Sequence, residues 1–441
     1  MKKVLAAPLV IAALVGLSGC GIFKGHGPRK TPTLGERIPI LVSENGAAVD
    51  PSLSGVVVTL PPATANDAWA QPGGNAAKNM GNLALGASPT RVWSARIDGG
   101  SNRQRLGAAP VVAEGKLFAV DVDAVVHAFR ADTGAALWTA RLATGKKNSA
   151  ARFGGGVSYD DGKVLATDGL GDVVALNAAD GAIVWRAKPG GPLRGAPTVA
   201  GGQVYVLSQD NQLFALGEAD GKVIWSESGS LESQGVFGVA APAVASGTVI
   251  AGFSSGELSA YRYENGRTLW QDALSRTSIS TSVSSLADID ADPVIADGRA
   301  YAVGQGGRMV ALEISTGQRL WEQNLAGTST PWLAGEWLFV ITDDARLICL
   351  SRANGKVRWI SQLRGYKNVK KKSGAYVWFG PVLAGDKLWL TNTRGEIVGI
   401  SPTDGKVATT IRQGAELSLP PVVANSTLYV LDQKGHITAY R

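Results

Sequence analysis

The chain ends on "KGHITAYR" (434–441), and the pattern to which this stretch belongs is cut short there. Two earlier stretches of the same kind continue. "DVVAL" (172–176) runs on through "NAADGAIVW" to Trp185, and "QLFAL" (212–216) runs on through "GEADGKVIW" to Trp225. In both, an apolar strand closes on Ala-Leu, an Asp-Gly turn follows, and a further strand carries a tryptophan. The final copy stops before that last strand.

Working outward, the same unit recurs from residue 109 to the C-terminus. It opens on a Pro-Val lead-in, a Gly turn and an apolar strand. A Gly or Asx turn, the Ala-Leu strand, an Asx/Thr-Gly turn and the Trp strand follow. The first full copy is "APVVAEGKLFAVDVDAVVHAFRADTGAALW" (109–138). Trp138, Trp185, Trp225, Trp270, Trp321 and Trp359 each lie four residues after a turn glycine. Counted from Trp93, the Trp-to-Trp intervals are 45, 47, 40, 45, 51 and 38 residues. A seventh copy carries Thr409 at the Trp position, and the eighth, "PPVVANSTLYVLDQKGHITAYR", has no fourth strand. Four short strands in a unit of this length describe a β-propeller blade. "TRVWSARI" (90–97) is an unaccompanied Trp strand ahead of the first copy. It is predicted to supply the missing strand of the last blade. Such closure joins the two chain ends and removes an edge that would otherwise template aggregation. The predicted fold is therefore all-β: an eight-bladed β-propeller of four-stranded blades, the last blade closed by an N-terminal strand.

Composition agrees. The 441 residues include 56 Gly and 20 Pro, as expected of many short strands and turns. The formal net charge of +7 falls to +5 without Lys2 and Lys3, too modest for a nucleic-acid surface on a chain this long.

The first residues read as a targeting segment. "MKK" is a basic start and "VLAAPLVIAALVG" an apolar core too short to span a bilayer comfortably. "LSGC" (17–20) resembles a bacterial lipobox, which implies cleavage before Cys20 and its acylation, with several acyl chains giving a stable membrane anchor. Gly21 in place of Asp then points to the outer membrane. The expected division is a lipoprotein signal peptide (1–19), a lipidated tether rich in Gly, Pro, Thr and Ala (20–65), and the propeller (66–441). With Cys20 acylated, Cys349 has no disulfide partner; it replaces Ala in its copy, "RLICL", and reads as a small buried hydrophobe.

The unit "AFRADTGAALW" (128–138) resembles two families of different function. One is the quinoprotein dehydrogenases, whose eight-bladed propellers hold pyrroloquinoline quinone; the resemblance implies a vicinal Cys-Cys ring, a Ca²⁺ held by carboxylates and an Asn, and an Asp base. The chain has no Cys pair. "DIDAD" (288–292) has Asp at alternate positions, but Pro293 and Arg299 stand where a calcium loop of the EF-hand kind needs Gly and Glu. The other is the BamB family of outer-membrane β-barrel assembly lipoproteins, which the lipobox, the length, "ERIPIL" (36–41) and "WAQPGGN" (69–75) also resemble. That resemblance implies a non-enzymatic scaffold without cofactor or metal. Its partners would be the POTRA domains of BamA, other assembly subunits and unfolded outer-membrane proteins, at the periplasmic face of the outer membrane. A scaffold of another envelope complex is a further alternative. Two loops match the family's partner-binding segments. "GPLRGAP" (191–197) carries Leu193 and Arg194, with Gly191 in place of a family Leu. "LADIDADP" (286–293) carries Asp288 and Asp290. Arg194 offers a planar fork for carboxylates or carbonyls, Leu193 a small apolar anchor, and the two aspartates acceptors for basic groups or backbone N–H; an internal Arg194–Asp288 or Arg194–Asp290 pair is the structural alternative.

"YKNVKKKSG" (366–374) is a basic surface loop between copies six and seven. His26, His127 and His436 are scattered and form no metal or triad pattern.

Overall fold

The computed structural model describes residues 46–101, 103–143, 152–193, 195–230, 240–274 and 288–441. Each sequence copy forms one antiparallel sheet of four neighbouring strands, denoted a to d from the axis outward. In blade 1 these are Val111–Ala113, Lys116–Val120, Val125–Arg130 and Ala136–Arg141. The b and c strands are short runs of β-branched and aromatic residues buried on both faces, because a neighbouring blade stacks on each side. The d strands alternate and bury chiefly their tryptophan. Between b and c, the Asp121 carboxylate accepts the backbone N–H groups of Asp123 and Val125, both at 2.9 Å. Asp168 and Asp432 cap the same turn in blades 2 and 8.

The ring closes as the truncated last copy requires. Arg91–Arg96 pairs antiparallel with His436–Tyr440, placing Trp93 opposite Ala439. Beyond the strand, Thr90 and Arg441 exchange both backbone hydrogen bonds, at 2.7 and 2.9 Å.

One latch joins successive blades. The Trp of each d strand lies across from a small residue of strand c, as in Ala128–Trp138 and Cys349–Trp359. Its ring covers the c–d turn glycine of the next blade. A Cβ on Gly134, Gly181 or Gly221 would sit 2.4–2.5 Å from Trp93, Trp138 or Trp185. Each indole N–H also donates to a carbonyl of that next blade, for example Trp185 to Glu218 at 2.8 Å and Trp270 to Ile314 at 2.7 Å. Trp93 makes this contact with blade 1, so the N-terminal strand both completes blade 8 and latches it onward.

The joint from blade 7 to blade 8 is different, and the reason is topological. Blade 8 has no c–d turn, because the two chain ends lie there, so a tryptophan at 409 would find no turn glycine to cover. Thr409 stands there instead, opposite Gly399, and the volume moves to Trp389 on strand b, which is fully buried. A polar clamp replaces the latch. Gln413 donates to Thr438 Oγ1 at 2.7 Å and accepts from the Tyr440 hydroxyl. Ile97, Leu142, Leu274, Leu325 and Leu363, all buried, occupy the position of Gln413 in five other blades.

Residues 66–83 form a second closure on the axis, bonding to the blades in ring order. Asn66 bonds Val423 and Asn425 of blade 8, and Trp69 exchanges two hydrogen bonds with Val112 of blade 1. Ala70 accepts from Tyr159 of blade 2, and the Gln71 amide binds both backbone groups of Val199 of blade 3. Ala76 and Ala77 accept from Val244 and Ile295, in blades 4 and 5. Gly81 accepts the Trp332 indole N–H of blade 6, and Leu83 bonds Leu383 and Gly385 of blade 7.

Of the stretch 20–65 expected to be a tether, residues 20–45, like the expected signal peptide and Cys20, lie outside the described residues. Residues 46–65 are folded against the ring: Val49 bridges Val357 at the outer edge of blade 6, Lys356 pairs with Asp50 at 3.1 Å, and Arg358 donates to the Val56 carbonyl at 2.6 Å. A proline-rich stretch reads as extended whether or not a sheet edge receives it.

Candidate functional site

In every blade the chain leaves strand d on one face of the ring and returns along strand a of the next blade. The described residues 190–193, 195–197 and 288–293 belong to two such connections, leading into blades 3 and 5, so the topology brings them to the same face.

Leu193 is fully buried. Its backbone bridges Ser208, and its side chain packs in the cluster that contains Leu165, Val173, Val206 and Phe214. The small apolar anchor expected at Leu193 is enclosed in the described structure and holds the loop to blades 2 and 3. Gln209 N–H to Pro192 (2.8 Å) and the Thr167 hydroxyl to Gly195 (2.8 Å) hold the same loop from either side. Arg194 lies outside the described residues.

The second loop is pinned in the same way. Ile289 is buried against Gly252, where a Cβ would stand 2.4 Å from its Cγ2. Asp288 is buried as well, and its carbonyl accepts from Gln305 N–H at 2.9 Å. Asp290 is half-buried and lines the axial cavity. Of the two expected acceptors, Asp290 is therefore the more accessible. The third aspartate, Asp292, accepts from Ala241 N–H at 2.7 Å, and its own N–H donates to Thr330 Oγ1 at 3.1 Å.

The cavity, about 520 Å³, opens among the loops that lead into strand a. Its floor is the axial segment, with Trp69 stacked on Trp332 at 5.9 Å and with Lys78. Lys78 is buried and donates to Thr198 Oγ1 at 3.0 Å. Burial pushes its pKa down to about 8, while the charge of Asp292 acts in the opposite sense. Burial likewise holds the Asp292 carboxyl above the usual range, against the pull of Lys78. The sequence reading had no partner for Asp292; nothing in "NAAKNMGN" says that its lysine is enclosed.

Among the described residues no three or more His, Cys, Asp or Glu side chains form a potential metal cluster. His127 and His436 bond the turn-capping Asp121 and Asp432, at 2.8 and 3.0 Å. Cys349 is fully buried, and burial raises its thiol pKa well above the usual range.

The family model described as outer membrane protein assembly factor BamB matches residues 54–151 and 122–361. The chain belongs to the BamB family. Curated BamB relatives include that of Yersinia pestis, 28% identical over 358 residues, covering 80% of this chain and 89% of the relative. That of Escherichia coli K12 is 27% identical over 354 residues, covering 79% and 88%. Among solved structures, BamB from Moraxella catarrhalis superposes with a TM-score of 0.67 at 19% identity, covering 80% of this chain and 99% of that one. The quinohemoprotein alcohol dehydrogenase of Comamonas testosteroni gives 0.67 at 14% identity, covering 86% and 81%. At that identity the likeness extends to the fold alone. The residues here do not fit a quinone–calcium centre. The chain has no vicinal cysteines, and the most enclosed axial carboxylate, Asp292, is committed to a backbone N–H beside the Lys78 ammonium. The BamB family also accounts for the axial segment: the matched region opens at residue 54 and so includes it.

Proposed function

We infer that this protein is a non-enzymatic scaffold of outer-membrane protein assembly, working on the periplasmic side of the outer membrane. The observation that carries the reading is the extent of the family relationship, nearly nine-tenths of the length of curated assembly factors. The build of the molecule supports it. Seven Trp–Gly latches, the strand closure and the axial segment tie the blades into one ring whose connections are loops.

Docking is proposed to use the face that carries the loops into blades 3 and 5, with the POTRA domains of BamA as partner. Arg194 and Asp290 present the polar contacts. Leu193 and Asp288, both enclosed, act as positioning residues that hold each loop to its blades. Acylation of Cys20 is proposed to anchor the disc to the membrane. Unfolded outer-membrane proteins are proposed to add as strands at the outer blade edges. There Ile183, Val184, Val223, Ile224 and Val407 are about half exposed beside unpaired edge backbone, and residue 49 already bridges one such edge at blade 6.

Co-purification from membranes tests the docking assignment. Arg194→Ala and Asp290→Ala are expected to lower recovery of BamA several-fold while leaving the melting temperature unchanged. Leu193→Ala is expected to lower both, since it opens a cavity. Full recovery with Arg194→Ala and Asp290→Ala combined overturns the assignment.

A further inference from the structure

Positive charge is concentrated in one part of the chain. Between Asp344 and Asp386 there are nine Lys and Arg residues and no Asp or Glu. Within blade 6 three of these cations meet carboxylates, Arg346 that of Asp344 in its own turn, Arg352 that of Asp297 and Lys356 that of Asp50, and Arg358 donates to the Val56 carbonyl. Beyond blade 6 the matching stops. The connection to blade 7 rises as a β-hairpin, Tyr366–Asn368 paired with Ser373–Ala375, on the face that carries the docking loops and the cavity mouth. Lys367, Lys370, Lys371 and Lys372 are exposed on it, and among the described residues none of them has a carboxylate partner.

The hairpin is braced rather than loose. The guanidinium groups of Arg364 and Arg394 lie over the Tyr376 ring, 5.4 and 5.8 Å from its centre, and Tyr376 stacks on Trp378 at 6.3 Å. Trp378 in turn donates to the Arg364 carbonyl at 3.0 Å, and Tyr376 N–H to Gly365 at 2.9 Å. The Asn368 side chain accepts from Lys371 N–H at 3.0 Å and tightens the tip. At that tip, among the lysines, Val369 is 72% exposed.

We propose that this hairpin is a contact for an anionic phospholipid surface. Three features favour lipid over an acidic protein segment. The free charges are lysines, compact point charges that are depleted from protein interfaces, where the planar arginine fork predominates. The nearby arginines are already engaged on Tyr376. An unpaired aliphatic side chain projects at the apex, where it enters the headgroup boundary while the lysines stay with the phosphates. A braced hairpin delivers these groups without the ordering cost of a flexible tail. This inference does not rest on the docking assignment above.

The test is vesicle co-sedimentation of the chain lacking residues 1–20, which lie outside the compact unit beginning at Glu44, so that no acyl chain contributes. Binding is expected to phosphatidylcholine vesicles that contain phosphatidylglycerol, with little to phosphatidylcholine alone, and to fall steeply with added salt. Each surface lysine contributes about fivefold to such binding, so Lys370→Gln, Lys371→Gln and Lys372→Gln together are expected to lose roughly 100-fold. Val369→Asp is expected to weaken binding further at low salt. Lys222→Gln with Lys406→Gln, two exposed cations elsewhere on the ring, is expected to leave it unchanged. Equal binding to neutral and anionic vesicles overturns the proposal, as does anionic binding that survives the triple substitution. Saturable binding of a polyglutamate peptide without vesicle binding also overturns it and assigns the hairpin to an acidic protein partner.

Discussion

Two glycines of blade 1 separate the cost of a strained turn from the cost of breaking a latch. Gly115 and Gly134 both adopt a left-handed backbone, with φ of 69° and 72°. A Cβ on Gly115 would meet nothing within 4 Å, whereas one on Gly134 would stand 2.4 Å from Cε3 of Trp93. Alanine in that conformation costs about 1–2 kcal/mol wherever it occurs. At Gly134 the indole must also move out. That forfeits its 3.1 Å hydrogen bond to Ala131, worth about 1 kcal/mol, and part of the packing whose complete loss costs about 3–5 kcal/mol. We therefore expect Gly134→Ala to exceed Gly115→Ala by about 2–4 kcal/mol. The unfolding entropy of a chain this long converts about 1 kcal/mol into roughly 1 °C of Tm. Thermal unfolding followed by tryptophan fluorescence should then fall by about 1–2 °C for Gly115→Ala and about 3–6 °C for Gly134→Ala. In a Trp93→Ala background the two variants should converge, because the contact that distinguishes them is gone. Equal shifts in the parent chain would refute the latch as the element that joins blade 8 to blade 1.

The remaining expectations concern enclosed groups. Lys78 titrates near 8 in the folded protein against 10.5 in an unfolded chain, so between those values the unfolded chain holds more protons and this group's contribution to stability rises with pH. Tm compared at the two ends of that window should show the rise, and Lys78→Met should abolish it; a parent chain with no such rise would contradict the burial. Asp292→Asn should shift that rise to lower pH, since the charge of Asp292 is what opposes burial at Lys78. Cys349 should react with a thiol reagent only on unfolding, since it is fully buried and its thiol is held protonated; prompt labelling of the native protein would contradict this.

Much of the fold was legible because it repeats. Periodic copies announce strands, turns and latch tryptophans together, and the truncated copy at 434–441 required a donor strand that Trp93 identified. The one irregular copy, Thr409, was visible as a departure. Its cause was not, because only the assembled ring shows that each latch tryptophan covers the turn glycine of the next blade. The candidate site was less legible. Leu193 and Asp288 stood out as motif residues, yet a motif match does not distinguish a side chain that meets a partner from one that holds the loop in place. The role of residues 66–83 went unread, since a segment that bonds eight blades in succession has no period of its own.

The amino-acid sequence alone determined the number of blades, their strand order and the blade that the two chain ends share. Those features follow from local hydrophobic alternation and turn chemistry, which each copy carries within itself. Tertiary structure decided which polar residues are enclosed, that the axis is floored by Lys78 and Asp292, and that four lysines on a braced hairpin meet no carboxylate among the described residues. Burial and charge pairing depend on neighbours up to several hundred residues away along the chain, and only the closed ring brings those neighbours together.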